Sequence, residues 1–235
     1  MSQDLIWKKL QNEDINRGFE GASIRAEFLL RRFKHHLTAG VSVMNVGIGT
    51  AALEKSLLQQ GCKVSSLDPD ATSVERLQAS GIDARQGYIE QMPFADASFD
   101  IVFASEVLEH LNDEQLASGI QEIHRVLKPN GLFIGTTPFE EDLKVSIVVC
   151  PHCGDIFHRW GHLQSFSLSR LKNCIENAAG GRKFKVQKIE TIGFASFKGG
   201  GAFGFIKALI KIPLCKIGAR FANPNICFKA IKLES

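Results

Sequence analysis

The alternation of apolar runs with amphipathic stretches limits the folds open to this chain more than any other feature of its sequence. From residue 41, short apolar runs alternate with stretches in which apolar residues recur at helical spacing, and four of these runs are VSVMNV, CKVSSL, FDIVFAS and GLFIGTT. Strands that are buried on both faces have near-continuous apolar runs, and the connecting helices cover those faces. The sequence therefore predicts an α/β fold built on a doubly wound, mostly parallel sheet.

The whole chain, residues 1–235, is expected to form a single domain, because this length suits one core with an elaboration. Apolar residues at helical intervals in 22–38 predict an amphipathic helix, and two strands around a helical excursion near the end predict an antiparallel last strand. The expected parts are an N-terminal helical cap (1–39), a core (40–147), an inserted Cys/His segment (148–166) and a C-terminal part of the sheet with a basic helical excursion (167–235).

The composition excludes several classes of protein. With 44% hydrophobic and 23% charged residues, the chain resembles ordinary globular proteins rather than disordered ones. A net charge of +3 is too small to indicate a nucleic-acid or membrane partner by itself. The sequence starts without an apolar run of signal-peptide length, and its six cysteines do not suggest a disulfide framework. We therefore expect a cytoplasmic protein.

A glycine-containing turn follows the first apolar run. In VSVMNVGIGTAAL, Gly47 and Gly49 lie between a predicted strand and a predicted helix, where the missing side chains let the backbone approach a ligand. Asp68 ends the next predicted strand, where a carboxylate can accept both hydroxyl protons of a ribose. Each feature alone has another interpretation, since the glycines suit a plain strand-to-helix turn and Asp68 suits a helix N-cap. Together they indicate a nucleoside pocket.

Two later segments extend this signal. They read GYIEQMPFADASFDIVFASEVLEHL and HRVLKPNGLFIGTTPF, and they follow the glycine turn and Asp68 in the same order as the motifs of a known family. Over residues 41–139 the chain thus resembles the class I S-adenosylmethionine-dependent methyltransferases. The resemblance implies a Rossmann-like, seven-stranded sheet, a cofactor-binding core at 40–147, S-adenosylmethionine as cofactor, and methyl transfer as the reaction.

The resemblance also carries cofactor contacts onto this sequence. Gly47 and Gly49 would lie against the methionine part of the cofactor, Asp68 would bind the ribose, and Tyr88 and Ile89 would border the adenine. The full predicted set is Asn45, Gly47, Gly49, Asp68, Pro69, Tyr88, Ile89 and Ser105. Three positions depart from the family pattern: Asn45 replaces an acid, Ala51 replaces a third glycine, and Tyr88 replaces a small polar residue or Asp.

The acceptor chemistry is expected at the end of the fourth strand, because open α/β sheets bind ligands at the carboxyl ends of their strands. Glu106 and His110, four residues apart, would share one helical face as a base and its orienting partner. In the other interpretation, Glu109 and His110 cap or orient the start of a helix. The two interpretations stay open at this stage.

A cluster of Cys and His interrupts the alternation. Cys150, Cys153, His158 and His162 have the spacing C-x2-C-x4-H-x3-H, which resembles a zinc knuckle. Four protein ligands would close the site and make the zinc structural, whereas three would leave a position for substrate. The alternative is a reduced loop whose histidines contact the substrate.

Two further segments bear on partners. In the methyltransferases that the chain resembles, the segment after the fifth strand commonly covers the acceptor pocket, which would make Arg159, Trp160 and Gln164 substrate contacts. Residues 203–221 combine apolar bulk with basic residues at roughly helical spacing. Such a stretch suits either a surface helix packed on the sheet or an interfacial helix in peripheral contact with a membrane.

These observations predict a methyltransferase that acts on a small-molecule or glycan-type acceptor, with oxygen as the expected methylated atom. Enzymes that methylate base amines usually carry an Asn/Asp-Pro-Pro-aromatic motif after the fourth strand, and this chain has SEVLEH there, so nucleic acid is not the expected acceptor. Two rivals remain. One is a zinc-knuckle module that binds nucleic acid or protein, and the other is a catalytically silent cofactor-binding partner of another enzyme.

Overall fold

The computed structural model describes residues 20–178, 184–194, 201–219 and 222–233. These residues form nine strands: β1 (Ser42–Val46), β2 (Lys63–Asp68), β3 (Asp83–Gln86), β4 (Phe99–Ser105), β5 (Leu127–Pro138), β6 (Ile147–Val149), β7 (Ile156–His158), β8 (Phe184–Ile192) and β9 (Asn225–Lys232). They also form six α-helices: α1 (Glu20–Phe33), α2 (Ala52–Gln59), α3 (Ala71–Gln78), α4 (Asp113–Val126), α5 (Leu168–Glu176) and α6 (Gly201–Lys216).

Seven strands make one sheet in the order β3-β2-β1-β4-β5-β9-β8. The pairs formed by β1 to β5 are all parallel, whereas β9 runs antiparallel to both β5 and β8. The predicted α/β fold is therefore confirmed, with a mostly parallel seven-stranded sheet and an antiparallel last strand. The strand order reverses direction between β1 and β4, so the carboxyl ends of these two strands flank a crevice.

The sheet is covered on both faces, as its continuous apolar strands require. Helices α1, α2 and α3 contribute Leu29, Leu57 and Leu77 to the core on one face. Helices α4 and α5 contribute Ile123 and Leu171 to the core on the other. Successive residues of a strand point to opposite faces of the sheet, so the central strands contribute side chains to both cores.

Three phenylalanines join the last strands of the sheet. Phe133 of β5 lies edge-on to Phe228 of β9, with ring centroids 4.9 Å apart, and tilted against Phe184 of β8 at 5.7 Å. All three side chains are fully buried. This cluster anchors the antiparallel β9 and the following edge strand onto the parallel part of the sheet.

Two predicted segments reach beyond the described residues. Residues 1–19 of the expected helical cap lie outside them, and so do 220–221 of the basic excursion 203–221. The excursion is helical as α6, and its described side chains include the exposed Leu209 and Ile210. Peripheral membrane contact through this helix stays a prediction. No helix within the described residues combines the length and apolar character needed to cross a bilayer.

Candidate functional site

The turn after β1 has the backbone geometry that its glycines suggested. Gly47 has φ +86° and Gly49 has φ +51°, both in the region that disfavours L-residues with side chains. A Cβ on Gly47 would also lie 3.1 Å from Cγ2 of Val107, at the end of the neighbouring strand. Ala51, where a third glycine was expected, adopts φ +59° just before α2. The turn therefore keeps the left-handed conformation at that position without a glycine.

The carboxylate of Asp68 shapes this turn directly. Its Oδ2 accepts a hydrogen bond from the backbone N–H of Ile48 at 2.8 Å, and its Oδ1 accepts one from the N–H of Asp70 at 2.9 Å. The N-cap of α3 is Asp70, whose side chain accepts from the N–H of Ser73, so the alternative interpretation of Asp68 as the cap is wrong. Asp68 instead ties the ends of β1 and β2 together, with its side chain almost fully buried.

A second acid, which sequence reasoning missed, lies beside Asn45. The Asn45 amide donates to Oε1 of Glu54 at 2.8 Å, and the Ser66 hydroxyl donates to the same oxygen at 3.1 Å. Burial raises the pKa of Glu54 despite these hydrogen bonds. A carboxyl group is therefore present next to Asn45, where the family resemblance had led us to expect an acid.

One cavity of about 480 Å³ opens at the carboxyl ends of β1, β2 and β4. It is lined by every predicted cofactor residue, namely Asn45, Gly47, Gly49, Asp68, Pro69, Tyr88, Ile89 and Ser105. Glu106 and His110 also line it, as do Arg25 of α1 and Trp160, His162 and Glu141 from the segments after β5. The cavity thus joins the glycine turn and Asp68 to a second region rich in His and Glu.

Arg125 of α4 holds the loop that carries Tyr88 and Ile89. Its guanidinium donates to the carbonyls of Met92 at 2.9 Å and Phe94 at 2.8 Å, and it pairs with Glu122 at 2.7 Å. Glu122 in turn accepts the N–H of Met92 at 2.8 Å. The loop is therefore fixed by a charged network rather than by regular secondary structure.

We expect Arg125→Met to destabilise the fold by about 2 kcal/mol, because hydrogen bonds to charged groups are lost and Glu122 loses its cationic partner. The cofactor affinity should fall as well, since the loop beside Tyr88 loses its anchor. Chemical denaturation and calorimetric titration with S-adenosylhomocysteine measure the two effects. Arg31→Met, which removes an exposed cation from α1, is the control.

The same network predicts a pH dependence. The hydrogen bonds from Arg125 lower the pKa of Glu122 below its ordinary value of 4.5, against the opposing effect of burial. Folding thus favours the ionised carboxylate, so this stabilisation is fully present above pH 4.5 and is lost as the pH falls through the lowered pKa. In Glu122→Gln, stability should fall less between pH 6 and pH 3 than in the unaltered protein; equal slopes would contradict this expectation.

Glu106 lies on the cavity wall, but the predicted helical face of Glu106 and His110 does not form. Glu106 has φ +57° and precedes a single 3-10 turn, Leu108–His110. Its carboxylate accepts hydrogen bonds from Thr136 at 2.8 Å and from Asn225 at 3.0 and 3.1 Å. These donors hold the Glu106 carboxylate between β5 and β9, and the hydrogen bond between Glu106 and the His110 ring comes from the backbone of Glu106 instead.

His110 lines the cavity but is a weak base. Burial, followed by the neighbouring charge of His162, lowers the pKa of His110 to about 3. Its Nδ1 lies 3.2 Å from the carbonyl oxygen of Gly161. The ring also has a hydrogen bond with the backbone of Glu106, and the lowered pKa keeps it neutral at physiological pH. The predicted role of His110 in removing a proton from the acceptor is therefore not supported by its surroundings.

The segment that follows β7 docks onto the turn after β4. The N–H groups of Leu163 and Gln164 donate to the Glu109 carbonyl at 2.8 and 3.0 Å, and the Gln164 amide donates to the carbonyl of Leu111 at 2.6 Å. Gln164 is thus a buried structural residue, contrary to the expectation of a substrate contact. Arg159 stacks on Trp160 and does not line the cavity, whereas Trp160 does.

The four predicted zinc ligands do not form one site. Strands β6 and β7 make a hairpin in which His158 lies opposite Ile147, while Cys150 pairs with Asp155 at the tip. Cys150 therefore lies three residues along the hairpin from the level of His158, a distance of about 10 Å at about 3.3 Å per residue. Among the described residues, no cysteine belongs to a group of three or more metal-ligating side chains, whereas both His158 and His162 group with Glu141. The zinc-knuckle arrangement is therefore not confirmed.

Sequence comparisons agree with the central part of this site. Residues 44–135 match the family described as methyltransferase domain. The demethylmenaquinone methyltransferase of Chlorobaculum parvum is 39% identical over 92 residues, which are 38% of this chain and 37% of that protein. The ubiquinone biosynthesis O-methyltransferase of a Methylobacterium species is 32% identical over 105 residues, 42% of this chain and 41% of that protein. The chain therefore spans less than half the length of these curated relatives.

Solved structures extend the likeness to the whole fold. A methyltransferase from Methanosarcina mazei, described as S-adenosylmethionine-dependent, has a TM-score of 0.63 at 13% identity and covers 87% of this chain and 98% of its own. The 1,6-didemethyltoxoflavin-N1-methyltransferase of Burkholderia thailandensis, solved with S-adenosylhomocysteine, has a TM-score of 0.63 at 14% identity over 98% of this chain and 89% of its own. The chain has the fold of S-adenosylmethionine-dependent methyltransferases, and its residues 44–135 match the methyltransferase domain family.

Proposed function

We propose that this protein is an S-adenosylmethionine-dependent methyltransferase that methylates an oxygen of a small-molecule or glycan-type acceptor. The observation that carries the proposal is the shared cavity, in which the glycine turn, Asp68 and the Tyr88 loop adjoin a separate region around His110, Trp160 and His162. A methyl transfer needs such a pocket with two ends, one for the donor and one for the acceptor.

The donor end would hold the cofactor by groups already in position. The turn at Gly47 would lie along the methionine part, and Asp68 would accept the ribose hydroxyls while it keeps its bond to the Ile48 N–H. Tyr88 and Ile89 would border the adenine. The cofactor, once bound, would supply an electrophilic methyl group on a sulfonium for transfer to the acceptor oxygen.

The acceptor end favours a small molecule. The segment from His158 to Gln164 is fixed over the turn after β4 by its bonds to Glu109 and Leu111, so it covers the acceptor end on that side. Trp160 offers an aromatic surface there. Oxygen as the methylated atom is consistent with the name of the Methylobacterium relative, an O-methyltransferase of ubiquinone biosynthesis.

The two rivals are less consistent with the site. A nucleic-acid-binding zinc knuckle would need the cysteines and histidines in one cluster, and they lie at opposite ends of a hairpin. A silent cofactor-binding partner was suggested by Asn45, Ala51 and Tyr88, but Glu54 supplies an acid beside Asn45, and Ala51 keeps the turn geometry.

Calorimetric titration and a turnover assay test this proposal. The purified protein should bind S-adenosylhomocysteine with micromolar affinity. It should also transfer a deuterated methyl group from S-adenosylmethionine to members of a panel of phenols, quinols and sugars, detected by mass spectrometry. Tight cofactor binding without turnover on any acceptor would favour the silent partner, and salt-dependent affinity for RNA without cofactor binding would favour the nucleic-acid module.

A further inference from the structure

A cluster of three ligating side chains lies at the acceptor end of the cavity. Glu109 and His110 come from the turn after β4, and His162 comes from the segment after β7. Each of the three offers an oxygen or nitrogen atom, and these atoms all lie within 4.8 Å of one another. All three side chains are buried or nearly so.

The buried carboxyl group of Glu109 is only partly satisfied by hydrogen bonds. Its Oε2 accepts a hydrogen bond from the Thr137 hydroxyl at 3.0 Å, but its Oε1 has no hydrogen-bond partner within the described part of the chain. The residue is 1% exposed. Burial first, and then the charge of Glu106, raise the pKa of Glu109 well above its ordinary value. An unpartnered carboxyl oxygen in such a place is destabilising unless a cation or donor meets it.

Both histidines lie beside Glu109, and each has a ring nitrogen next to a hydrogen-bond acceptor. The Nδ1 of His110 lies 3.2 Å from the Gly161 carbonyl oxygen, the ring also has a hydrogen bond with the backbone of Glu106, and its Nε2 lies 3.9 Å from Oε1 of Glu109. The Nδ1 of His162 lies 2.5 Å from Oε2 of Glu141, which assigns a proton to this nitrogen. A carboxylate oxygen of Glu109 and one ring nitrogen of each histidine thus lie within 4.8 Å of one another in a buried cluster.

We propose that Glu109, His110 and His162 bind a divalent transition metal ion, with Zn²⁺ as the first candidate. Two imidazoles and one carboxylate are a ligand set that zinc accepts in catalytic sites. Ligand bonds of about 2.0–2.2 Å at tetrahedral angles place ligand atoms about 3.3–3.6 Å apart, so the 3.9 Å between Glu109 and His110 has to shorten by a few tenths of an ångström on binding. Hydrogen bonds from Thr137 and to Gly161 and Glu141 hold the three ligands in the way that outer partners usually do.

His158 supports this site without being a ligand. Its Nδ1 accepts the backbone N–H of His162 at 3.1 Å, so its proton is on Nε2. This Nε2 lies 3.6 Å from Oε1 of Glu141, the acid that orients His162. The ligand set therefore differs from the one that the Cys and His spacing predicts, and shares only His162 with it.

The metal site has one open side. Three protein ligands leave a coordination position free, and His110 and His162 both line the cavity. A hydroxyl or phenol oxygen of the acceptor would fill that position and release its proton more easily, because a bound dication stabilises the anion. This last step rests on the proposed methyltransferase function, whereas metal binding itself does not.

Metal analysis of the full chain tests the proposal. The protein, stripped with a chelator, is titrated with Zn²⁺ in competition with a chromophoric chelator. The variants are Glu109→Gln and His110→Asn, and the control is the double variant Cys150→Ser, Cys153→Ser, which removes the thiolates of the predicted knuckle. Binding of S-adenosylhomocysteine, which uses the other end of the cavity, reports whether each variant is folded.

We expect one Zn²⁺ per chain, an affinity at least about 100-fold lower in Glu109→Gln and His110→Asn, and an unchanged affinity in the cysteine variant. Glu141→Gln, which removes only an outer partner, should lower the affinity by about 10-fold or more. If these variants fail to fold, the absorption spectrum of Co²⁺ bound to the unaltered protein still distinguishes the proposed ligands from the cysteines. Thiolate ligation adds an intense near-ultraviolet charge-transfer band, which nitrogen and oxygen ligation lacks.

Three results would overturn the site: no bound metal, loss of the metal in the cysteine variant alone, or a thiolate band in the cobalt protein. Each can be told apart from failure of the proposed function, which would appear as absent S-adenosylhomocysteine binding in the unaltered protein.

Discussion

Replacing Asp68 by Ala is expected to lower the affinity for S-adenosylmethionine by roughly 100-fold or more, since the two ribose hydrogen bonds proposed for this carboxylate would be lost. The same substitution leaves the N–H of Ile48 without its 2.8 Å acceptor, so the glycine turn loses the contact that orders it. Both effects act in the same direction. Calorimetric titration with S-adenosylmethionine and S-adenosylhomocysteine measures the loss.

Two variants separate these contributions. Asp68→Asn keeps an acceptor for Ile48 but loses the negative charge, and we expect an intermediate loss of about 10-fold. Asp70→Ala removes the neighbouring N-cap of α3 and should reduce stability by about 1 kcal/mol with little change in cofactor affinity. Unaltered binding in Asp68→Ala would refute the assignment of this cavity to the cofactor.

Replacing Phe133 by Ala is expected to destabilise the protein by about 3–5 kcal/mol, the usual cost of deleting a fully buried aromatic ring. The ring contacts both Phe184 and Phe228, so its loss weakens the attachment of β8 and β9 to the sheet. For a chain of this size, we expect the midpoint of thermal unfolding to fall by roughly 10 °C. Thermal and chemical unfolding monitored by circular dichroism provide the measurement.

A graded series makes this prediction specific. Phe133→Leu keeps part of the volume and should lose less than the alanine variant. Leu58→Ala, at a side chain that is 41% exposed, should change stability by less than about 0.5 kcal/mol. If all three variants unfolded alike, the phenylalanine cluster would not be the anchor described above.

The residues of the predicted cofactor site could be brought together from the sequence because their signals are local. Gly47 follows β1 and Asp68 ends β2, and the ends of neighbouring parallel strands meet at one edge of the sheet, so two short patterns were enough to place them together. Glu54 was missed because it lies on the inward face of α2, and a single acidic residue in a predicted helix does not by itself indicate a buried carboxyl group.

The acceptor end could not be predicted in the same way. The spacings Cys150-x2-Cys153 and His158-x3-His162 predict one metal site only if the two pairs lie together in space. The hairpin of β6 and β7 instead separates the cysteines from the histidines. The partners of His162 come from Glu109 and Glu141, in two other segments. Tertiary contacts bring these segments together, among them the hydrogen bonds of Leu163 and Gln164 with the Glu109 carbonyl.

The position of β9 in the sheet has a consequence for the order in which the protein folds. β9 lies between β5 and β8, so β8 has no neighbour in the sheet until β9 has been synthesised and inserted. Asn225, the first residue of β9, also donates to the Glu106 carboxylate at the end of β4, 119 positions earlier. On the ribosome, the parallel strands can therefore assemble first, but the wall of the cavity around Glu106 is completed only when β9 emerges, and nascent chains shorter than that leave a sheet edge exposed at β5.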